Sequence, residues 1–247
     1  MKPFVNPIDL QIEPVTPKEI GVTALDEVDP SALLLSHLIS HEEIQIFLDH
    51  LGDTKWQPVS ITGMSGNYEP GDPIGSWRAS SFQEAWAAAL FDRIRRFLPE
   101  VKIWDDSTAT DWDGTRQWRA VGVNPLLRFI KYTDGGLLVP HYDAPYVADQ
   151  NTRTLSSLVI YLNSNSDRAT GGETRFLHDP QAQTPVADRV LYDEKDPATD
   201  DRVKRTVLPV SGQALLFDHR ILHESHRMDG PGEKIIVRTD IVYERMA

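Results

Sequence analysis

From Val121 to Tyr243 the chain breaks into short runs rich in Val, Ile, Leu, Phe and Tyr, set apart by clusters of Gly, Asn, Asp and Pro. This punctuation restricts the fold more than any other feature, because runs at such intervals build antiparallel sandwiches or barrels. Strands are expected at Leu126–Tyr132, Leu137–Tyr142, Thr154–Leu162, Glu173–Phe176, Thr206–Val210, Gln213–Phe217 and Ile235–Tyr243. The earlier half reads differently. Ser40 and Glu43 fit a capping box, and Ile44, Phe47, Leu48 and Leu51 recur at helical spacing until Gly52, which predicts a helix over about 41–51. Ser81 and Glu84 repeat that signature ahead of Trp86, Leu90, Ile94, Phe97 and Leu98, which predicts a second, longer helix ending before Pro99. Residues 1–30, interrupted by Pro3, Pro7, Pro14, Pro17 and Pro30, read as an extended lead-in or edge strand. Asp188–Arg205 carries eleven charges in eighteen positions and is expected to be a solvated excursion, where a lid would sit.

Composition removes several classes of function. There is no cysteine, so disulfide frameworks, iron–sulfur clusters and thiolate-bound zinc or haem are excluded. A net charge of −12 argues against a nucleic-acid binder, which needs a basic face to displace counterions from phosphate. No apolar run approaches the ~20 residues that span a bilayer, and Pro3, Asn6, Pro7 and Asp9 interrupt any leader-like stretch at the N-terminus. The expectation is a soluble, cytoplasmic protein without nucleic-acid or membrane partners, its oligomeric state unread. Its 247 residues, 40% of them apolar, suffice for one large core, and one domain over 1–247 is expected. Within it, 1–120 form a helical and extended N-terminal support and 121–247 a β-rich catalytic core, an α+β, mainly β chain.

His141-Tyr142-Asp143 sets an imidazole and a carboxylate two residues apart on an extended segment, so both face one side and can grip one ion. A third ligand is available from His219, His223 or His226, which follow a hydrophobic run at Ala214–Phe217. Two histidines and one carboxylate leave three coordination positions open, the arrangement that non-haem Fe(II) oxygenases use. Lys234 and Arg238 lie four apart on a strand-like run and share a face.

The order of these pieces resembles the prolyl-4-hydroxylase-like branch of the Fe(II)/2-oxoglutarate-dependent dioxygenases. The carrying segments are Arg128–Tyr132 with Gly135, His141-Tyr142-Asp143, Ser157–Asn163, Gly171–Phe176, and Leu222-His223-Glu224 through Lys234–Asp240, together about half the chain. The resemblance implies a double-stranded β-helix, or jelly roll, with iron held by His141, Asp143 and a distal histidine. The family's distal spacing to the following basic residue selects His223, eleven residues before Lys234, with His219 and His226 as rivals. It implies 2-oxoglutarate and O2 as cosubstrates, with ascorbate as an accessory reductant, and hydroxylation of an unactivated C–H bond. Halogenating relatives lack the metal-binding carboxylate, so Asp143 as a ligand favours oxygen insertion.

The far carboxylate of 2-oxoglutarate needs an inward cation, because a buried unpaired carboxylate costs several kcal/mol. Lys234 matches the family's position; Arg238, a planar fork suited to carboxylate, is the other candidate. Tyr132 resembles the tyrosine that shares this work, or is a core aromatic. Arg128 approaches substrate or cosubstrate, or pairs with an acid. Thr174 and Asn163 are candidate pocket liners. Trp77–Ser81, Tyr146 and the charged excursion are candidates for substrate selection, and the substrate itself, a prolyl or other peptidyl residue, a free amino acid or another small molecule, is not legible.

Other readings are weaker. Asp105, Asp106, Asp111 and Asp113 hint at a calcium loop, but Gly122 stands where an EF-hand starting at Asp111 needs its Glu. His223-Glu224-Ser225-His226 is one residue too short for a zincin helix. A non-oxidative metal-binding jelly roll, or a zinc hydrolase using the same ligands, remains as a different class of function; neither needs the basic pair after the distal histidine.

Overall fold

The structure, a computed structural model, describes residues 19–62, 73–105, 115–164, 170–184 and 196–246. In chain order its elements are β1 (Gly21–Ala24), β2 (Leu33–Ser36), α1 (His41–Leu51), β3 (Gln57–Ser60), β4 (Ile74–Phe82), α2 (Glu84–Ile94), β5 (Lys102–Asp105), β6 (Thr115–Val123), β7 (Leu126–Tyr132), β8 (Leu138–His141) and β9 (Thr152–Tyr161). There follow β10 (Thr170–Gly171), β11 (Thr174–Leu177), β12 (Val203–Val207), β13 (Ala214–Asp218), β14 (His223–Ser225), β15 (Met228–Asp229) and β16 (Lys234–Arg245).

Two sheets carry the fold. The larger has ten strands, running β1-β2-β13-β9-β16-β7-β4-β3, with β6 joined to the far end of β16 and β5 to β6. The smaller runs β12-β11-β14-β8. Every pairing within them is antiparallel. Strand alternation then divides the side chains of the large sheet. From β7 and β16, Leu127, Phe129, Ile235 and Val237 pack with Phe47 of α1 and Trp86 and Leu90 of α2 in one core. The alternate residues Ile130, Tyr132 and Ile236 join Phe176 of the small sheet and Phe217 in a second core between the sheets. Phe176 and Phe217 meet edge-on at 5.2 Å. This is the jelly-roll arrangement expected from the sequence.

Helix α1 matches its expected span, and both halves of its capping box form between Ser40 and Glu43. The second helix requires a correction. Ser81 belongs to β4, and the cap position is Gln83, which makes no side-chain capping bond and instead donates from Nε2 to the Ser81 hydroxyl. At eleven residues α2 equals α1 in length, continued only by a 3-10 turn at Arg95–Phe97.

Before residue 121 the sequence promised helices and an extended lead-in; β1 supplies that edge strand, but β2 to β6 went unread. The run Ile74–Phe82 holds three serines and only one β-branched residue, Ile74, yet it pairs with β7 along six residues. The charged excursion is also corrected at its end. Val203–Val207 is a strand paired with β11, and Ala198 is buried. Residues 188–195 of the proposed lid and most of the acidic cluster at 105–113 lie outside the described residues.

Candidate active site

The inward faces of β4, β7 and β16 line a cavity of about 450 Å³, with β8 and β14 opposite. Antiparallel register puts Lys234 beside Tyr132 and Arg238 beside Arg128, and Arg78 beside Ile130 on the next strand.

At the cavity wall, β8 ends on His141 and β14 begins on His223, which are register partners, so their rings stand 4.2 Å apart. Asp143 follows two residues after His141. The ligand atoms of His141, Asp143 and His223 all lie within 4.8 Å of one another, close enough to share one ion. Among the described residues no other group of three His, Asp or Glu does so. Each imidazole is already oriented: Nδ1 of His141 bonds the Val139 carbonyl at 2.8 Å, and Nδ1 of His223 bonds the Ile221 carbonyl at 2.9 Å. A carbonyl only accepts, so Nδ1 carries the proton and each Nε2 presents its lone pair to the centre.

Burial and the neighbouring His223 push His141 down to about 3, and burial lowers His223 as well, so both rings are neutral near pH 7. Burial alone would raise the Asp143 carboxyl, but Arg238 leads the charges that hold it well below the usual carboxylate range. Arg238 Nη2 contacts Oδ1 at 3.0 Å, and the Ser157 hydroxyl donates to Oδ2. Two neutral imidazoles and a fixed carboxylate fit an octahedral divalent ion with open positions.

Deeper in the cavity Lys234 is 1% exposed. Its Nζ donates to the Gly172 carbonyl at 2.7 Å and to the Ser225 hydroxyl, and stands 4.2 Å from the centre of the Tyr132 ring. None of these partners is charged. Burial therefore pulls Lys234 down to about 7, with Glu173 opposing it. Burial pushes the Tyr132 hydroxyl up to about 12. The Gly171-Gly172 turn presents the carbonyl that Lys234 meets: both glycines have positive φ, 80° and 73°, and a Cβ on Gly171 would fall 1.8 Å from the Arg227 carbonyl oxygen. Thr174 lines the same cavity.

Arg238 differs from Lys234 in already holding two carboxylates, Asp143 and, at 3.1 Å, Asp240. Arg128 takes the acid-pairing option, with Nη1 2.9 Å from Asp240 Oδ2, while still reaching the cavity. The rival histidines stand apart from the cluster. His219 is 1% exposed with Nε2 3.4 Å from Asp240, and its backbone carbonyl accepts from the Asp143 amide. His226 lies 3.7 Å from Glu224, which is itself held by Arg175. Asn163 is corrected: its amide does not line the cavity but clips the start of β16, donating to the Glu233 carbonyl and accepting from the Ile235 amide.

Sequence reasoning gave no role to Ser157, Ser225 or Asp240. Ser225 and Asp240 sit two residues beyond His223 and Arg238, so strand parity could have placed them on the same inward faces. Ser157 had no comparable signal.

Residues 127–239 match the family model described as the 2OG-Fe(II) oxygenase superfamily. No curated protein sequence matches the chain significantly. Among solved structures, the chain is similar to a prolyl hydroxylase from Trichoplax adhaerens in complex with a peptide fragment of the hypoxia inducible factor oxygen degradation domain. The TM-score is 0.50 and the identity 13%, covering 85% of this chain and 83% of that one. It is similar also to a 2OG-Fe(II) oxygenase family oxidoreductase from Burkholderia pseudomallei, with TM-score 0.50 and 11% identity over 88% of this chain and 87% of that one. At these identities the structural likeness speaks for the fold, and the family rests on the matched segment, which contains every residue of the metal cluster and Lys234. Through that segment, a little under half of its length, the chain is similar to the 2OG-Fe(II) oxygenase superfamily.

Proposed function

We propose that this dioxygenase holds Fe(II) with His141, Asp143 and His223, anchors the far carboxylate of 2-oxoglutarate on Lys234, and hydroxylates an unactivated C–H bond of a small molecule or peptide. The observation that carries the reading is the pairing of the His-Asp-His cluster with a buried lysine that touches only neutral acceptors, at the far end of one cavity. When bound, iron and 2-oxoglutarate couple oxidative decarboxylation by O2, to succinate and CO2, with insertion of one oxygen atom into the C–H bond.

The chain's own residues supply position and dryness. Val139 and Ile221 carbonyls keep the histidine rings aimed. Arg238 and Ser157 fix the Asp143 carboxylate. Ile130, Val159 and Ile236 wall the cavity and exclude water, which strengthens every charge interaction inside it. Lys234 is favoured over Arg238 as the anchor because Arg238 already holds Asp143 and Asp240, whereas among the described residues no carboxylate forms a salt bridge with Lys234. Tyr132 and Ser225, beside Lys234, complete that end. A zinc hydrolase with the same ligands leaves such a buried cation without a purpose.

The whole chain is read as one catalytic domain, since β4, from the first half, extends the sheet beside β7. No described helix is long and apolar enough to cross a membrane. A cytoplasmic setting without nucleic-acid partners is supported by the absence of cysteine and the charge of −12. The test is mass spectrometry of a metabolite and peptide pool incubated with the protein, Fe(II) and 2-oxoglutarate. Products heavier by one oxygen that require 2-oxoglutarate are expected; conversion that proceeds with Zn(II) alone contradicts the reading.

A further inference from the structure

Resting on the function proposed above, the cavity's charges say something about the substrate. Four lining side chains are cationic: Arg78, Arg128, Arg238 and Lys234. Arg238 is matched by Asp143 and Asp240, and Arg128 by Asp240. Lys234 feels Glu173 and awaits the cosubstrate carboxylate. The lining Glu224 is taken by Arg175. Arg78 is left over: among the described residues no carboxylate forms a salt bridge with it, and its buried Nε has no hydrogen-bond partner. Loading iron and 2-oxoglutarate does not alter this balance, since the two charges of the ion and of the dianion offset each other.

An unmatched guanidinium inside a largely buried cavity is costly unless something arrives to meet it. Burial and the like charges of Arg238 and Arg128 disfavour its charged form, against the pull of Asp143, which is already held by Arg238. Its place on β4, one strand outside β7, sets it beside Ile130, whereas Lys234, on β16, is the register partner of Tyr132. The exposed residues Ala144, Pro145 and Tyr146 line the same cavity. We propose that Arg78 is a specificity-determining residue that receives a carboxylate of the primary substrate, so that the substrate class is carboxylate-bearing small molecules or residues with a free carboxylate near the C–H bond that reacts. The planar fork of arginine suits a carboxylate by two parallel hydrogen bonds, and the apolar walls at Ile130 and Ile236 take the attached carbon skeleton.

Saturation-transfer NMR on the full chain loaded with Zn(II) and saturating 2-oxoglutarate, with benzoate and benzamide as matched probes, tests this without turnover. The expected result is a benzoate signal that benzamide lacks, weakened about tenfold or more in Arg78→Gln and partly restored in Arg78→Lys. Equal signals from the two probes, no benzoate signal, or a benzoate signal unchanged in Arg78→Gln would overturn the proposal. Loss of the 2-oxoglutarate signal together with that of benzoate in Arg78→Gln would also overturn it, by assigning Arg78 to the cosubstrate. The wild-type comparison of benzoate with benzamide stands even if Arg78→Gln fails to fold. Absence of any 2-oxoglutarate signal from the wild type sinks the oxygenase reading instead, and the benzoate comparison between wild type and variants still decides the role of Arg78.

Discussion

Each group around Asp143 has a separable task, and single substitutions distinguish them. Ser157 touches the carboxylate but not the ion site's other ligands, so Ser157→Ala is expected to lower Fe(II) affinity by roughly 10–100-fold, read by metal titration, with the fold intact. Lys234→Met removes the proposed anchor and is expected to raise the KM for 2-oxoglutarate about a hundredfold or more, leaving Fe(II) binding in place. Arg238→Met should instead weaken metal binding first, because it frees Asp143. The lowered Lys234 adds a pH dependence. Its ammonium form binds the carboxylate and is already half lost near pH 7 in the empty protein. Affinity for 2-oxoglutarate is therefore highest below about pH 7 and falls by up to about tenfold per unit above it, with proton uptake on binding that calorimetry in buffers of different ionisation enthalpy detects. A flat affinity from pH 6 to 9 would contradict the buried-lysine anchor. His141 and Asp143 were legible in the sequence because two-residue spacing on a strand fixes a common face. Ser157 was not, because its meeting with Asp143 exists only once β9 and the segment after β8 are brought together.

At the scale of elements, the helices hold the large sheet from behind while its other face forms the site. Their junction depends on Arg93 of α2, which pairs with Glu43 of α1 at 2.7 Å and also donates to the Leu38 carbonyl at 3.1 Å. Both side chains of the pair are buried, at 7% and 0% exposure, so Arg93→Ala leaves a carboxylate without its cation and should destabilise the protein by about 3–5 kcal/mol in denaturant unfolding. The first helix was readable because its cap is local. The second helix was misread at its start, since Ser81 followed by Glu84 satisfies the same local pattern while β4 claims Ser81 for the sheet. Strand β4 was missed for a related reason. Its alternation of Ser76, Arg78 and Ser80 against Trp77, Ala79 and Ser81 is real, but a cavity-facing strand need not be hydrophobic on its inward side. Of the polar residues that hid β4, Arg78 is the one that lines the cavity.

Across the whole molecule, an acidic chain encloses a cationic cavity. The net charge of −12 describes the surface and says nothing of the interior, where Arg78, Arg128, Arg238 and Lys234 converge from three neighbouring strands. The composition argued only against a nucleic-acid partner; the cavity points to a keto diacid and a carboxylate. The interior is cationic under an acidic surface because a sandwich sorts side chains by strand parity, which composition averages away. The jelly-roll class and the order of motifs were legible because they lie in one run of the chain. The closure of the site was not, because β4 arrives from the half that lacked a β pattern. The most direct test of the central claim is an anaerobic titration of the purified protein with Fe(II) and 2-oxoglutarate, followed by visible absorption and then by succinate release on admitting O2. The account predicts a weak charge-transfer band at one iron per chain, followed by succinate, with both lost in His141→Ala and in Asp143→Ala. No band and no succinate from the wild type, or both retained in these variants, would contradict it.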